Sequence, residues 1–237
     1  RLNSSAASDV YKRQGMSLFA DVSKEEDIKN VIEKTTKEFG GIDIFCSNAG
    51  IGGLPGFFES ETADWQKIWE INVQAHIHAA KHVLPQMLDR GEGYLVNTSS
   101  AAGLLTQLGA SSYAVTKAAA VSFAEWIKIT YGEKGIGVSC LCPQAVKTAM
   151  TAGGAGVAGV DGMMEPDEVA ECVIKAINEE KFLVLPHQEV SEYVMRKGND
   201  RDRWIKGMQR LQKQYEEFLT PTAVSYTHLR AHETYKD

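Results

Sequence analysis

Two hydrophobic periods alternate along this chain. Short apolar runs bounded by Gly, Pro or Asp alternate with longer stretches whose apolar residues recur every three or four positions. Met16 to Ala20 predicts a short strand ending at Asp21. Ser23-Lys24-Glu25-Glu26 has the form of a capping box. The helix it opens carries Ile28, Val31, Ile32, Thr35 and Phe39 on one stripe and stops at Gly40-Gly41. Ile42 to Ser47 predicts the next strand, and Gly50 to Gly56 a Gly-rich loop. Thr62 to Leu88 predicts helix in two pieces, with Pro85 disturbing the last turn. Tyr94 to Thr98 reads as a strand, Ser112 to about Tyr131 as a long Ala-rich helix, and Gly137 to Cys142 as a strand ending at Pro143. Thr151 to Met164 reads as a mobile loop. Pro166 opens a helix to about Asn178, Phe182 to Leu185 is a last short strand, and a terminal helix spans roughly Glu189 to Leu219. This alternation predicts an α/β fold, a parallel sheet with helices on both faces.

Length and charge narrow the class. The chain has 237 residues, enough for one α/β domain and too few for two ordinary ones. Net charge is −6 and no basic stripe is present, which argues against nucleic acid as a partner. No apolar run approaches the roughly 20 residues of a membrane span. The four cysteines, Cys46, Cys140, Cys142 and Cys172, lie in apolar strand-like or helical context. They read as buried thiols in a reducing, cytoplasmic setting rather than a disulfide framework.

The two ends look foreign. Asp9-Val10-Tyr11-Lys12-Arg13-Gln14 can be encoded by GAT GTG TAT AAG AGA CAG, and Val224-Ser225-Tyr226-Thr227-His228 by GTC TCT TAT ACA CAT. The reverse complement of the second string lies within the first. One DNA element read on opposite strands accounts for both, and the flanks look like a transposase-type sequencing adapter translated in frame. Residues 1–14 and 223–237 are therefore expected to be adapter-derived and are set aside from fold reasoning. The domain is expected to occupy 15–222, with its start an assembly break and a targeting signal still open.

The candidate chemistry lies in four residues. Asn72 sits in Glu70-Ile71-Asn72-Val73. Ser100 closes the apolar run Leu95-Val96-Asn97-Thr98-Ser99-Ser100. Tyr113 and Lys117 follow in Ser111-Ser112-Tyr113-Ala114-Val115-Thr116-Lys117. A Tyr and a Lys four apart share one helix face. Alone, such a pair is commonplace. A Ser 13 residues before the Tyr, and Asn48-Ala49-Gly50 closing an earlier strand-like run, make the joint pattern specific.

Together these motifs resemble the short-chain dehydrogenase/reductase family, over nearly all of Gly15 to Leu185. The resemblance implies a doubly wound, Rossmann-like parallel sheet of seven strands, which this chain would enter at the third. The first βαβ unit, about 30 or more residues, would be absent, and with it the Gly-rich turn that cradles the cofactor pyrophosphate. Gly153-Gly154-x-Gly156 follows no strand and opens no periodic helix, so it is no substitute. On this reading the 237-residue chain by itself is expected neither to bind dinucleotide tightly nor to turn over.

The resemblance further implies an NAD(P)-dependent oxidoreductase acting on an alcohol or ketone. Tyr113 would be the general acid/base, its pKa of about 10 lowered toward working pH by the Lys117 ammonium, with desolvation offsetting part of that. Lys117 would also hold ribose hydroxyls, Ser100 would polarise the substrate oxygen, and Asn72 would support a water-linked proton relay. Asp21-Val22 would contact adenine, although Asp21 also suits a helix cap. Asn48, Ala49 and Gly50 would line the cofactor. Pro143, Val146 and Thr148, in Pro143-Gln144-Ala145-Val146-Lys147-Thr148, would contact its carboxamide and phosphate side. Gln144 replaces a usual Gly, which disfavours a left-handed backbone there and places an amide near the substrate. The choice between NAD and NADP lies outside this sequence. Gly52, Leu54, Phe57 and Phe58, with Ala149, Val157, Val160, Met163 and Met164, suggest an apolar substrate pocket. A homodimer or homotetramer is implied, paired through the helices of Asn72 and Tyr113.

Two rival readings are a dinucleotide-binding homologue without turnover and a family member doing epimerisation or dehydration. The intact Asn-Ser-Tyr-Lys set disfavours the first, and the length disfavours the second. No metal is expected. His78 and His82 stand at i, i+4 but lack a third ligand, and Cys140-x-Cys142 suits core packing better than zinc. Trp65 and Trp69 read as a helix packing stripe.

Overall fold

The computed structural model describes residues 15–219 apart from position 55. The tails expected to be adapter-derived, 1–14 and 223–237, lie outside these residues. Four strands, β1 (Ile44–Ser47), β2 (Gly93–Thr98), β3 (Ile136–Leu141) and β4 (Leu183–Val184), form one parallel sheet in that order. Between and around them run α1 (Glu25–Phe39), α2 (Thr62–Trp69), α3 (Ala75–Arg90), α4 (Ala101–Leu105), α5 (Ser111–Tyr131), α6 (Pro166–Asn178), α7 (Glu189–Asn199), α8 (Arg201–Gln214) and α9 (Glu216–Leu219). No helix among the described residues is long and apolar enough to cross a membrane.

Strand alternation assigns the two sheet faces. Ile136, Val138 and Cys140 share a core with Ile28 and Ile32 of α1, Val83 and Met87 of α3, and Ala124 and Ile127 of α5. Leu141 and Val184 point the other way and pack on Val169 and Ala176 of α6. Helices therefore cover both faces, as the sequence pattern predicts.

Several expectations are corrected. Met16 to Ala20 forms no strand and has no ladder partner among the described residues. Ser23 does not cap α1. Its hydroxyl and N–H both donate to Asp21 Oδ1, at 2.7 and 3.1 Å, and the Asp21 N–H donates to Asp27 Oδ2 at 2.9 Å. Asp21 thus organises the turn before α1, and the Ser23 hydrogen bonds hold its carboxyl below the usual range. Gly40 ends α1 at φ +83°, a left-handed cap that favours glycine.

Pro85 sits within α3, which continues to Arg90. The interruption instead falls at Glu70–Gln74, a π-helical turn between α2 and α3. The terminal helix is three pieces. Asp200 adopts an extended backbone (φ −150°, ψ 94°), ends α7 and caps α8 by accepting from the Arg203 N–H at 2.9 Å. The 151–164 segment contains a short 3-10 turn, Gly156–Gly159, and is pinned by a bridge between Val146 and Met164. Cys46 is exposed rather than buried, because β1 is the edge of the described sheet.

Candidate active site

The site assembles where β2, β3 and α5 meet. Backbone pairing continues past the end of β2, since Ser99 N–H donates to the Leu141 carbonyl and Ala101 N–H to the Pro143 carbonyl, both at 2.8 Å. This holds Ser99 and Ser100 rigid beside the end of β3. Ser99 Oγ turns away and donates to the backbone carbonyl of Lys117 at 2.8 Å. Ser100 caps α4, its Oγ accepting from the Ala102 N–H at 3.1 Å. The same hydroxyl reaches the Pro143 carbonyl at 3.4 Å and acts to lower the pKa of Tyr113. The two serines thus divide the work, Ser99 fixing α5 and Ser100 facing Tyr113.

α5 carries Tyr113 and Lys117 on adjacent turns. Gly103 lets the helix approach closely, because a Cβ there would stand 2.5 Å from the Lys117 carbonyl oxygen. Lys117 is 4 % exposed. Its Nζ donates to the Thr98 carbonyl at 3.1 Å and lies 5.7 Å from the Tyr113 ring centroid. Burial lowers the Lys117 pKa to about 8. Burial also raises that of Tyr113, and the Ser100 hydroxyl offsets part of the rise. The lowering by Lys117 expected from sequence is not seen. Its ammonium is directed to Thr98, and removal of the phenol from water dominates.

Asn72 is fully buried in the π turn. The extra residue per turn aims its amide at the loop after β1. Asn72 Oδ1 accepts from the Ile51 N–H at 2.9 Å, and Nδ2 donates to the Ile51 carbonyl at 2.9 Å and to Thr116 Oγ1 at 3.3 Å. Gly50 fits between Asn72 and Lys117, since a Cβ there would stand 3.3 Å from both Asn72 Oδ1 and Lys117 Nζ. Asn48 Oδ1 accepts from Thr98 Oγ1 at 2.8 Å. The structure therefore brings Asn48, Gly50, Asn72, Ser100, Tyr113 and Lys117 into one cluster, with Ala49 exposed beside it and Pro143 touching Ser100.

Other candidates have local partners. Asp21 serves its own turn, and Val22 packs against the main core. Val146 pairs with Met164. Thr148 caps a short 3-10 turn with Thr151. His78 and His82 both approach Glu25, at 3.4 and 2.9 Å, and with Lys81 they hold its carboxyl at a pKa of about 2, the Lys81 hydrogen bond being the largest cause.

Several contributors escape sequence reasoning. Thr98 and Thr116 hold Lys117 and Asn72, and only their nearness to the motifs signals them. Beneath the cluster, Asn97 Nδ2 lies 3.2 Å from His76 Nδ1, and burial, then the Lys117 charge, lowers the His76 pKa to about 4. Gln144 keeps a negative φ, as Thr106 and Glu180 are the only non-glycine residues at positive φ among those described. Its Nε2 donates to Asp161 Oδ2 at 3.0 Å, and Tyr193 Oη donates to Asp161 Oδ1 at 3.0 Å.

A cavity of about 720 Å³ opens beside Ser100 and Gln144. Val157 and Val160 line it as expected, but Gly52, Leu54, Phe57, Phe58, Ala149, Met163 and Met164 do not. Phe57 and Phe58 are exposed and stack edge-on at 5.3 Å. The missing wall comes from α7 and α8, whose polar sequence carried no pocket signal.

Comparison with known proteins identifies the family and the fold. The family model for short chain dehydrogenase matches residues 4–155. The chain belongs to the short-chain dehydrogenase family. That match begins inside the stretch set aside as adapter-derived. Among curated relatives, short chain aldehyde dehydrogenase 1 of Euphorbia lathyris is 30% identical over 79% of this chain and 66% of its own length. Human epidermal retinol dehydrogenase 2 is 33% identical over 70% of this chain and 55% of its own. Meso-2,3-butanediol dehydrogenase of Serratia marcescens is 29% identical over 62% and 58%. The chain thus spans less than two thirds of the length of each of these relatives. A short-chain dehydrogenase/reductase from Burkholderia phymatum, solved in complex with NAD, superposes with a TM-score of 0.71 at 25% identity, covering 79% of this chain and 76% of that one. The sheet and helices described here are those of the family's Rossmann-like fold.

Proposed function

We propose that this short-chain dehydrogenase is an NAD(P)-dependent oxidoreductase that interconverts a small alcohol and its carbonyl compound, with Tyr113 as general acid/base. The observation that carries this reading is the convergence of Tyr113 with the buried Lys117, whose ammonium lies 5.7 Å from the Tyr113 ring, and with Ser100, which lines a cavity. Family membership and an NAD-bound structural relative support it.

The residues fit a nicotinamide cofactor. Gly50 packs closely against Asn72 and Lys117, where a Cβ would stand 3.3 Å from each, and so brings the loop after β1 against the cluster. Asn48 and Ala49 lie just past the end of β1, and Pro143, Val146 and Thr148 follow β3. These would hold the nicotinamide half, and Asp21 and Val22 the adenine. A bound nicotinamide would supply or accept the hydride.

The chain's own part is proton handling. Tyr113 Oη and Ser100 Oγ form a pair of hydroxyls able to hold a substrate oxygen between them. Burial keeps Tyr113 protonated, the state that donates to a developing alkoxide. Lys117, its ammonium donating to the Thr98 carbonyl, would hold the cofactor ribose. Asn72 would act through the loop it anchors and through water beside Lys117.

The test is Tyr113→Phe in the full-length gene product, with NADH and NADPH compared. Turnover is expected to fall by about 10²–10⁴-fold, with cofactor affinity kept. Parent-like turnover would refute the assignment.

A further inference from the structure

The cavity beside Ser100 has a charged wall that the proposed chemistry does not use. Trp204, Met208 and Leu211 of α8 recur at i, i+4 and i+7 and line it as an apolar stripe. Arg203, Gly207 and Arg210 recur at the same spacing and line it too. Gly207 is well inside the helix, where glycine is a poor former. A Cβ there would meet only Arg210 Nη2, at 3.9 Å, so no tight backbone contact calls for glycine. Its absence of a side chain instead leaves a gap between two guanidinium-bearing positions.

The electrostatics of this wall oppose those of the chain. Three arginines, Arg196, Arg203 and Arg210, line the cavity against one carboxylate, Asp200, in a chain of net charge −6. Arg196 is engaged, with Glu192 Oε2 at 2.8 Å and the Tyr193 ring at 5.6 Å. Asp200 is engaged too, accepting from the Arg203 backbone N–H. Arg203 and Arg210 form no side-chain ion pair among the described residues. Two unpaired guanidinium groups flanking an apolar cavity are suited to bind an anion by their planar fork of donors.

We propose that the substrate is amphipathic, with its reacting oxygen at Ser100, an apolar body along Trp204, Met208 and Leu211, and an anionic group, carboxylate or phosphoryl, between Arg203 and Arg210. This rests on the reading of Ser100 and Tyr113 as the reacting end. Both arginines are exposed at the rim, so the anion preference weakens as salt screens it.

The test is calorimetric titration of the full-length gene product with straight-chain methyl-keto carboxylates of increasing length and with their methyl esters. At low salt at least one acid is expected to bind about tenfold or more tightly than its ester, the scale of a charge-assisted hydrogen bond. The Arg203→Ala/Arg210→Ala variant should bring that acid to its ester's affinity and leave the ester unchanged. Equal affinity across the series, no binding, or a preference that survives the double variant overturns the proposal. NAD(P)H-dependent reduction of the best binder is scored separately. Acid preference without reduction would refute the hydride-transfer reading and leave the anion end standing.

Discussion

Asn72 and Ile51 clasp each other through two hydrogen bonds, Ile51 N–H to Asn72 Oδ1 and Asn72 Nδ2 to the Ile51 carbonyl, both at 2.9 Å. A side-chain amide here completes the backbone of the loop that follows β1. The π turn at Glu70–Gln74 makes this possible by rotating Asn72 inward from a helix that would otherwise run on. One residue thereby joins the helix, the loop bearing Gly50 and, through Thr116, the helix bearing Tyr113.

Removing that clasp is expected to destabilise the fold. Asn72→Ala leaves the Ile51 N–H and carbonyl without partners, a cost of about 2 kcal/mol. In a chain of this size that corresponds to a melting temperature lower by about 4–8 °C. Asn72→Asp keeps the acceptor and should fall between. Thermal unfolding followed by circular dichroism decides it. An Asn72→Ala melting temperature matching the parent's would show that the clasp contributes little.

Much of this was legible from periodicity and spacing. α6 runs from Pro166 to Asn178 as the sequence indicates, because a proline at the first turn and an acidic N3 residue are strong start signals. Ser100, Tyr113 and Lys117 converge because α5 is a regular helix and Ser100 ends a strand packed against it. The π turn was not legible, since no composition marks it and Pro85 drew attention further along. The strand at Met16 to Ala20 failed because local β propensity needs a paired neighbour. The cavity wall was missed because Arg203, Trp204 and Arg210 lie in a helix that reads as polar. Which of its faces meets solvent is fixed by tertiary contact with α4 and α7.

Lys117 should leave a signature in the pH dependence of stability. Its folded pKa of about 8 lies below the ordinary lysine value of 10.5, because burial disfavours the charged amine. Below pH 8 both states carry the proton, and the penalty is fully present. Between pH 8 and 10.5 the unfolded chain holds more protons, so stability rises with pH. The gain from about pH 7 to about 9.5 is on the order of 2 kcal/mol. The raised Tyr113 pKa works against this only near and above its ordinary value of 10.0. Urea unfolding of the parent and of Lys117→Met tests the point. The variant should lose the rise, and identical pH profiles would refute the attribution.

α5 also presents an apolar stripe outward. Val115, Trp126 and Ile129 are 49%, 54% and 76% exposed and recur on one side of the helix. Ile77 of α3 is exposed as well. We expect this surface to pair copies of the chain, as the family resemblance implies. Trp126→Glu combined with Ile129→Lys should convert a dimer or tetramer to monomer in light scattering at micromolar concentration. A monomeric parent, or an unchanged assembly in the variant, would rule the surface out.

The last prediction concerns one methyl group between α4 and α5. A Cβ on Gly103 would stand 2.5 Å from the Lys117 carbonyl oxygen, 2.7 Å from its carbon and 3.0 Å from Ala118 N, all backbone atoms of α5. No rotamer change relieves that overlap, so α5 itself must shift. The shift acts on the carbonyl that accepts from Ser99 Oγ at 2.8 Å, and on the lysine whose Nζ reaches Thr98. Helix propensity alone favours Ala over Gly by about 1 kcal/mol, whereas overpacking against fixed atoms costs about 1–3 kcal/mol. The second effect should prevail, giving Gly103→Ala a net loss of about 1 kcal/mol together with lower turnover in the full-length gene product. Gly198 in α7 supplies the contrast, since a Cβ there meets nothing within 4 Å. Gly198→Ala should therefore stabilise by about 0.5–1 kcal/mol. Denaturant unfolding of both variants reads the two signs directly. If both shift stability the same way, close packing at Gly103 is not what sets the spacing of α4 and α5.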